Sequence, residues 1–274
     1  MTQHLSLYTP DFIAVPAINS AVILSAGKGS RLYPYTEDRP KCLLELSGRT
    51  LLEWQLDALH AAGIRAISVV TGFHHDQVAE VIARRGNGRG EIDLIFNPFY
   101  QVADNLGSVW MARERWRHDT LLLNGDTLVS ADLLHTVLRQ AVAPITVTVD
   151  CKERYDADDM KVLRDGERLV RIGKALTEYD AESIGLLAFR GIGRRRFLDA
   201  MERTMHTPEG VQVWYLSVID ALASSTYVGT VNIEGHDWQE VDYPADLDAA
   251  GALTARWTNG DAIASRKVHL PRPA

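Results

Sequence analysis

Two glycines, an arginine and a lysine stand at a spacing that suits phosphate chemistry. They are Gly27, Gly29, Arg31 and Lys41, within the stretch "AVILSAGKGSRLYPYTEDRPKCLLEL" that runs from Ala21 to Leu46. Glycines straight after an apolar run let the backbone turn sharply and bring its N–H groups up to an anion with no Cβ in the way. Arginine adds a forked donor and lysine a mobile point charge. The combination fits a polyphosphate. Two common phosphate loops fail on inspection. A Walker A loop would need glycine at Val22 and Ser or Thr at Gly29, and the dinucleotide fingerprint that starts at Gly27 and Gly29 would need a third glycine where Leu32 stands.

Two carboxylates complete the set of candidates. "LLLNGD" ends an apolar run on Asp126, where an acid at the edge of a core is costly to leave without a partner. Asp242, in "WQEVDYPADL", also falls between a strand and a helix start. A hard divalent cation is a natural partner for both, since Mg²⁺ takes one or two protein carboxylates plus phosphate oxygens. A turn role for Asp126 and a helix cap for Asp242 compete with that reading.

These residues need elements to hold them. Ala21 to Leu24 reads as a buried strand. "TLLEWQLDALHAAG" puts Leu52, Leu56 and Leu59 on one helical face and stops at Gly63. "IRAISVVTG" is a second strand, "HHDQVAEVIARR" a helix, "RGNGRG" a turn, and "EIDLIFNP" a strand stopped by Pro98. "NLGSVWMARERW" reads as a helix and "TLLLNGD" as a fourth, buried strand. Such alternation implies a parallel sheet with helices on both faces and ligands beyond the carboxyl ends of its strands. The second half is more mixed. "ITVTVD" alternates as a strand, "MKVLRDGERLVRIGK" reads as a hairpin turning at Asp165-Gly166, and "SIGLLAFRG" and "YVGTVNIEG" are further strands. "DYPADLDAAGAL" starts a helix with Pro244 in its first turn. The expected layout is an extension over residues 1–17, one catalytic unit over 18–253 and a tail over 254–274.

Composition narrows the function. The 274 residues are 46% hydrophobic and 24% charged, with a net charge of −7, which disfavours nucleic acid or a membrane surface as partner. Cys42 and Cys151, the two cysteines, make no disulfide framework and no zinc spacing. No apolar run approaches a membrane span and "MTQHLSLYTPDF" lacks a signal-peptide layout, so a cytoplasmic protein is expected.

The segment "LSAGKGSRLYPYTEDRPKCLLEL" resembles the signature loop of the sugar-nucleotidyltransferase superfamily, roughly L-x-A-G-x-G-[ST]-R-L…P-K-x-L. The resemblance runs from Ala21 to Leu253. It implies an α/β, three-layer Rossmann-like nucleotidyltransferase fold, with a mostly parallel mixed sheet and a smaller acceptor-binding subdomain. It further implies that Gly27, Lys28, Gly29, Ser30 and Arg31 clamp the β- and γ-phosphates. Lys41 would neutralise charge at the α-phosphate, and Asp126 and Asp242 would share Mg²⁺. A surface role for Lys41 competes.

"NPFYQVADNLGSVWMA" is similar to a segment of small cytidylyltransferases of the phosphocholine and 2-aminoethylphosphonate type. That implies Asn105 and Ser108 near the nucleoside and backbone contacts from Leu24, Ala26 and Gly72, with helix capping a competing role for Asn105. "DDMKV", "RIGK" and "AESIGLL" resemble the same group's acceptor segments, so Lys161 and Lys174 would bind the acceptor's phosphate or phosphonate and Glu182 its other end. An aromatic cage of Trp214, Tyr215 and Trp238 is available for a quaternary ammonium. Yet the sequence Val213-Trp214-Tyr215 lacks the acid such enzymes place there, and Lys152 and Arg154 make the neighbourhood basic. A smaller anionic acceptor fits that departure. The expected activity is Mg²⁺-dependent transfer of CMP from CTP, with room left for a homodimer. A thymidylyl- or guanylyltransferase acting on sugar 1-phosphates, a nucleotide sensor and a nicotinamide oxidoreductase are the rivals. The first of these often carries a β-helix for which the tail is too short. The sensor has no need of paired metal carboxylates, and the oxidoreductase is opposed by Leu32.

Overall fold

A computed structural model describes residues 17–86 and 90–259. Residues 1–16 of the expected extension over 1–17, the centre of the "RGNGRG" turn and the end of the tail lie outside the described residues. In chain order, the first half comprises β1 (Ser20–Ser25), two short strands β2 (Glu45–Leu46) and β3 (Arg49–Thr50), α1 (Leu51–Ala61), β4 (Ala66–Thr71), α2 (His75–Arg85) and β5 (Glu91–Phe96). It continues with α3 (Asn105–Met111), β6 (Thr120–Asn124), β7 (Thr127–Val129) and α4 (Ala131–Gln140). The second half holds β8 (Ile145–Asp150), β9 (Lys161–Asp165), β10 (Arg168–Ile172), β11 (Ala181–Phe189) and α5 (Gly191–Met205). It ends with α6 (Tyr215–Ala223), β12 (Val228–Asn232), β13 (Trp238–Glu240) and α7 (Pro244–Asn259).

Local sequence accounts for the boundaries. Thr50 and Glu53 form a reciprocal capping box at the start of α1, which satisfies two donors the helix would otherwise leave open. Leu52, Leu56 and Leu59 are fully buried, as their period predicts. The helix expected over "NLGSVWMARERW" is split. α3 stops at Met111 and Arg113–Arg115 forms a 3-10 turn. The tail expected from residue 254 begins inside α7, because Thr254 is buried and Trp257 packs edge-on to Trp54.

The main sheet runs β5-β4-β1-β6-β11-β8-β12-β10-β9 among the described residues. β5, β4, β1 and β6 are parallel, as are β8 and β12. β11 runs antiparallel to both β6 and β8 and so joins the two halves. Helices cover both faces. Leu121 and Leu123 enter one core cluster, and Leu122, between them, enters the other, the period-two signature of a strand buried on both sides. Chain order reverses around β1, with β4 on one side and β6 on the other. A crevice beyond those strand ends is where open α/β sheets hold ligands.

β11 departs from regular pairing at this crevice. Its register with β8 shifts between Ser183 and Leu187, and Gly185 sits at φ +74°. A Cβ there would meet the Asn124 side chain. Gly185→Ala is therefore expected to lower stability by about 1–3 kcal/mol. The measurement is the midpoint of urea unfolding, and an unchanged midpoint would contradict the account.

Candidate active site

The loop after β1 is shaped by contacts that only glycine allows. Gly29 sits at φ +67°, and a Cβ on it would stand 2.9 Å from Cβ of Lys41. The Thr36 hydroxyl donates to the Gly29 carbonyl at 2.7 Å and closes the loop on itself. Pro40 is extended, and the turn Lys41–Leu43 that follows directs Lys41 inward. Its Nζ donates to Asp126 Oδ2 at 2.8 Å and to Asp242 Oδ1 at 2.7 Å. Burial alone would lower the Lys41 pKa, but the two carboxylates outweigh it and hold it above the ordinary lysine value. Arg31, half-exposed, pairs with Asp242 Oδ2 at 3.2 Å. Two positions 116 residues apart in sequence, Asp126 and Asp242, are thus joined by one ammonium. A surface role for Lys41 is excluded.

Each carboxylate is held by its own element end. After β6, a Cβ on Gly125 would come within 2.3 Å of the Leu24 carbonyl, so only glycine lets the β6–β7 turn cross β1. The fully buried Gln55 of α1 donates to the Asn124 and Thr127 carbonyls at 2.8 Å each and fixes both sides of Asp126. Asp242 is not a helix cap. Asp246 fills that role, accepting the N–H groups of Asp242 at 3.0 Å and Tyr243 at 2.8 Å. Tyr243 in turn donates to Asp158 at 2.7 Å.

The donor set fits a hard cation in one respect that sequence could not show. Oδ1 of Asp126 is buried and makes no hydrogen bond, and a bound cation would satisfy it. Among the described residues no group of three or more His, Cys, Asp or Glu could hold a metal by itself. Two carboxylates suffice only where phosphate oxygens complete the shell.

A cavity of about 240 Å³ opens beside this cluster. Its lining includes Leu24, Ala26, Gly27, Gly29, Lys41, Asn105, Ser108 and Asp126, all expected from sequence, together with Tyr100 and Asn124. Gly72 lies behind it, where a Cβ would meet both Tyr100 and the Ala26 carbonyl. Lys28 and Ser30 lie outside the lining and are solvent-exposed or nearly so, Lys28 with its ammonium near the rings of Tyr33 and Phe73. Asn105 caps, but not its own helix. Its Oδ1 accepts the Tyr215 N–H at the start of α6, at 2.9 Å. Ser108 Oγ accepts from Asn97 at 3.1 Å. Cys42 also lines the cavity, and burial pushes its thiol pKa up to about 12, so it is no nucleophile near neutral pH.

Three of the expected acceptor residues are placed otherwise. Lys161 is buried, and its ammonium donates to the carbonyls of Asp156 at 3.0 Å and Lys174 at 3.1 Å and approaches that of Ala157. An ammonium has three donors, and those carbonyls take them, so in this structure Lys161 clamps the loop. Tyr215 is fully buried, with its hydroxyl donating to Asn124 Oδ1 at 2.9 Å. It supports the cavity wall from behind and cannot touch an acceptor. Glu182 is buried and pairs with Lys152 at 2.7 Å. Lys174 alone stays accessible, with its ammonium 4.6 Å from the Trp214 ring centroid. Trp238 is a core residue bonded to Asp150 at 2.7 Å.

Sequence reading missed Thr36, Gln55, Tyr100, Asn124 and Asp246. Asp246 carried a signal, because an acid two positions after Pro244 matches a first-turn cap. Gln55 carried a weaker one, as a polar residue on an apolar helix face.

Fold and site together define a nucleotidyltransferase-like scaffold. The chain belongs to the family of the MobA-like NTP transferase domain, whose model matches residues 21–215. It is 32% identical over 259 residues to the CMP-5'-(3-aminopropyl)phosphonate synthase of Streptomyces rubellomurinus, a match covering 90% of this chain but 40% of that protein's length. It is 26% identical to the CTP:phosphoglutamine cytidylyltransferase of Campylobacter jejuni, over 84% of this chain and 98% of that one. In fold it is similar to the inositol-1-phosphate CTP transferase of T. maritima, with a TM-score of 0.77 and 21% identity over 89% of this chain and 98% of that one.

Asp246→Ala is expected to cost about 1–2 kcal/mol of stability by freeing the two N–H groups that fix Asp242. Chemical denaturation checks this, and no loss would mean that Asp242 is held by other contacts.

Proposed function

We propose that the chain is a magnesium-dependent cytidylyltransferase, which transfers CMP from CTP to a small acceptor bearing a phosphate or phosphonate and releases pyrophosphate. The observation that carries the reading is the convergence of Lys41, Asp126 and Asp242 at the mouth of the strand-end cavity. A nucleotide sensor has no use for an ammonium locked between two carboxylates beside a phosphate-binding loop. The preference for CTP rests on the relatives, which are named for CTP or CMP and for phosphonate or phosphate partners.

In this reading an acceptor oxygen attacks the α-phosphorus in line. The bond to the β-phosphate oxygen breaks, and pyrophosphate departs with the electron pair. The acceptor oxyanion is already ionised near neutral pH, so no side chain has to remove a proton. Positioning and charge neutralisation carry the rate. The backbone at Gly27 and Gly29 cradles the leaving phosphates, and Arg31 stabilises the charge that builds on them. Lys41 gives two donors to the carboxylates, which leaves its third for the cavity. Asp126 and Asp242 would hold magnesium, which when bound supplies further neutralisation at the phosphate oxygens.

Pyrophosphate release measured with ATP, GTP, UTP, dTTP and CTP against phosphate and phosphonate acceptors should be greatest with CTP. A preference for dTTP or GTP with a hexose 1-phosphate would replace this reading with sugar activation. Asp126→Asn and Asp242→Asn should each reduce turnover by about 10² or more, and near-normal rates in both with Mg²⁺ present would remove them from the metal site. Arg31→Ala should lower kcat more than it raises KM for CTP. A change confined to KM would make Arg31 a ground-state binding residue.

A further inference from the structure

The loop between β8 and β9 carries a second ionic cluster that the reaction above does not use. Lys152 Nζ stands 2.7 Å from Asp159 Oδ2 and 2.7 Å from Glu182 Oε2, and both acids are almost fully buried. The same ammonium lies 5.5 Å from the centroid of the Tyr155 ring, within cation–π range. Two carboxylates and an aromatic face are the chemistry of a receptor for an alkylammonium ion. Here the chain supplies the ammonium itself.

The cluster is joined along β11 to the wall of the cavity. Glu182 is three residues along β11 from Gly185, whose Cα packs against Asn124 in the wall of the nucleotide cavity. The loop is also tied to the reaction centre, through the bond from Tyr243, the neighbour of Asp242, to Asp158. Neighbouring cations have other partners. Lys161 is bound by carbonyls, and Arg164 pairs with Asp180.

We propose that Lys152 sets acceptor specificity by filling an ammonium site from within the chain, so that the acceptor's far end is neutral. The inference rests on the cytidylyltransferase reading for its setting. A cationic head would have to displace a buried lysine that already holds both acids, whereas a hydroxyl meets no such competitor.

Two matched acceptors test it. With CTP, the wild-type protein should use 2-hydroxyethylphosphonate at least about tenfold better in kcat/KM than 2-aminoethylphosphonate, and Lys152→Ala should shift that ratio toward the amine by about tenfold or more. A wild-type preference for the amine, or a ratio that Lys152→Ala leaves unchanged, would overturn the proposal. A second measurement needs no turnover. Methylammonium chloride, compared with potassium chloride at equal ionic strength, should raise Tm of Lys152→Ala by about 2 °C or more and leave the wild type unmoved. Lys152→Ala/Asp159→Asn, which strands less charge, serves if the single variant does not fold. No selective stabilisation of the emptied site would refute the ammonium pocket. Failure of wild-type turnover with every nucleotide and acceptor would instead count against the cytidylyltransferase reading, with the ammonium pocket then judged by Tm.

Discussion

The architecture around the site depends on one ammonium held between two carboxylates. Asp126 and Asp242 stand 116 residues apart in the chain, and side by side they would repel. Lys41 Nζ, at 2.8 and 2.7 Å from them, converts that repulsion into a closed cluster. Burying such a cluster is costly unless its geometry is good, and removing one member strands the charge of the others. The surrounding backbone meets that demand with close approaches. Gly29 lets Lys41 come near, and Gly125 lets the β6–β7 turn cross the end of β1. The Oδ1 of Asp126, buried without a hydrogen bond, is what the cluster leaves open.

Around that centre the supporting bonds are mostly from side chain to backbone. Gln55 holds the turn that carries Asp126, Asp246 holds the segment that carries Asp242, and Thr36 holds the glycine loop. Asn105 and Tyr215 tie α3, α6 and β6 into one wall. Each fixes a main-chain path and thereby fixes a reacting group at second hand. β11 extends the same frame into the second half of the chain, because its bulge at Gly185 accommodates Asn124 on one side while Glu182 pairs with Lys152 of the β8–β9 loop on the other.

Lysines in the second half show how one residue type takes opposite parts. Lys161 is an internal clamp with carbonyl partners, Lys152 an internal counter-ion, and Lys174 an accessible cation over an indole. Burial separates them. A lysine can be interior only where its donors are matched, and once matched it has little left to offer a ligand.

Taken by itself, the sequence determined whatever depends on neighbouring residues. The glycine loop with Arg31 and Lys41, the strand-end acid Asp126, the two periods that separate strands from helices, and the hairpin around Gly166 are all local, because backbone freedom and side-chain spacing are set within a few positions. Tertiary structure decided what depends on partners brought from afar. It turned β11 antiparallel, joined Asp126 to Asp242 through Lys41, buried Tyr215 behind Asn124, and gave Glu182 to Lys152. A charged side chain's task is set by the group that satisfies it, and when that group lies a hundred residues away only the folded chain can say which it is.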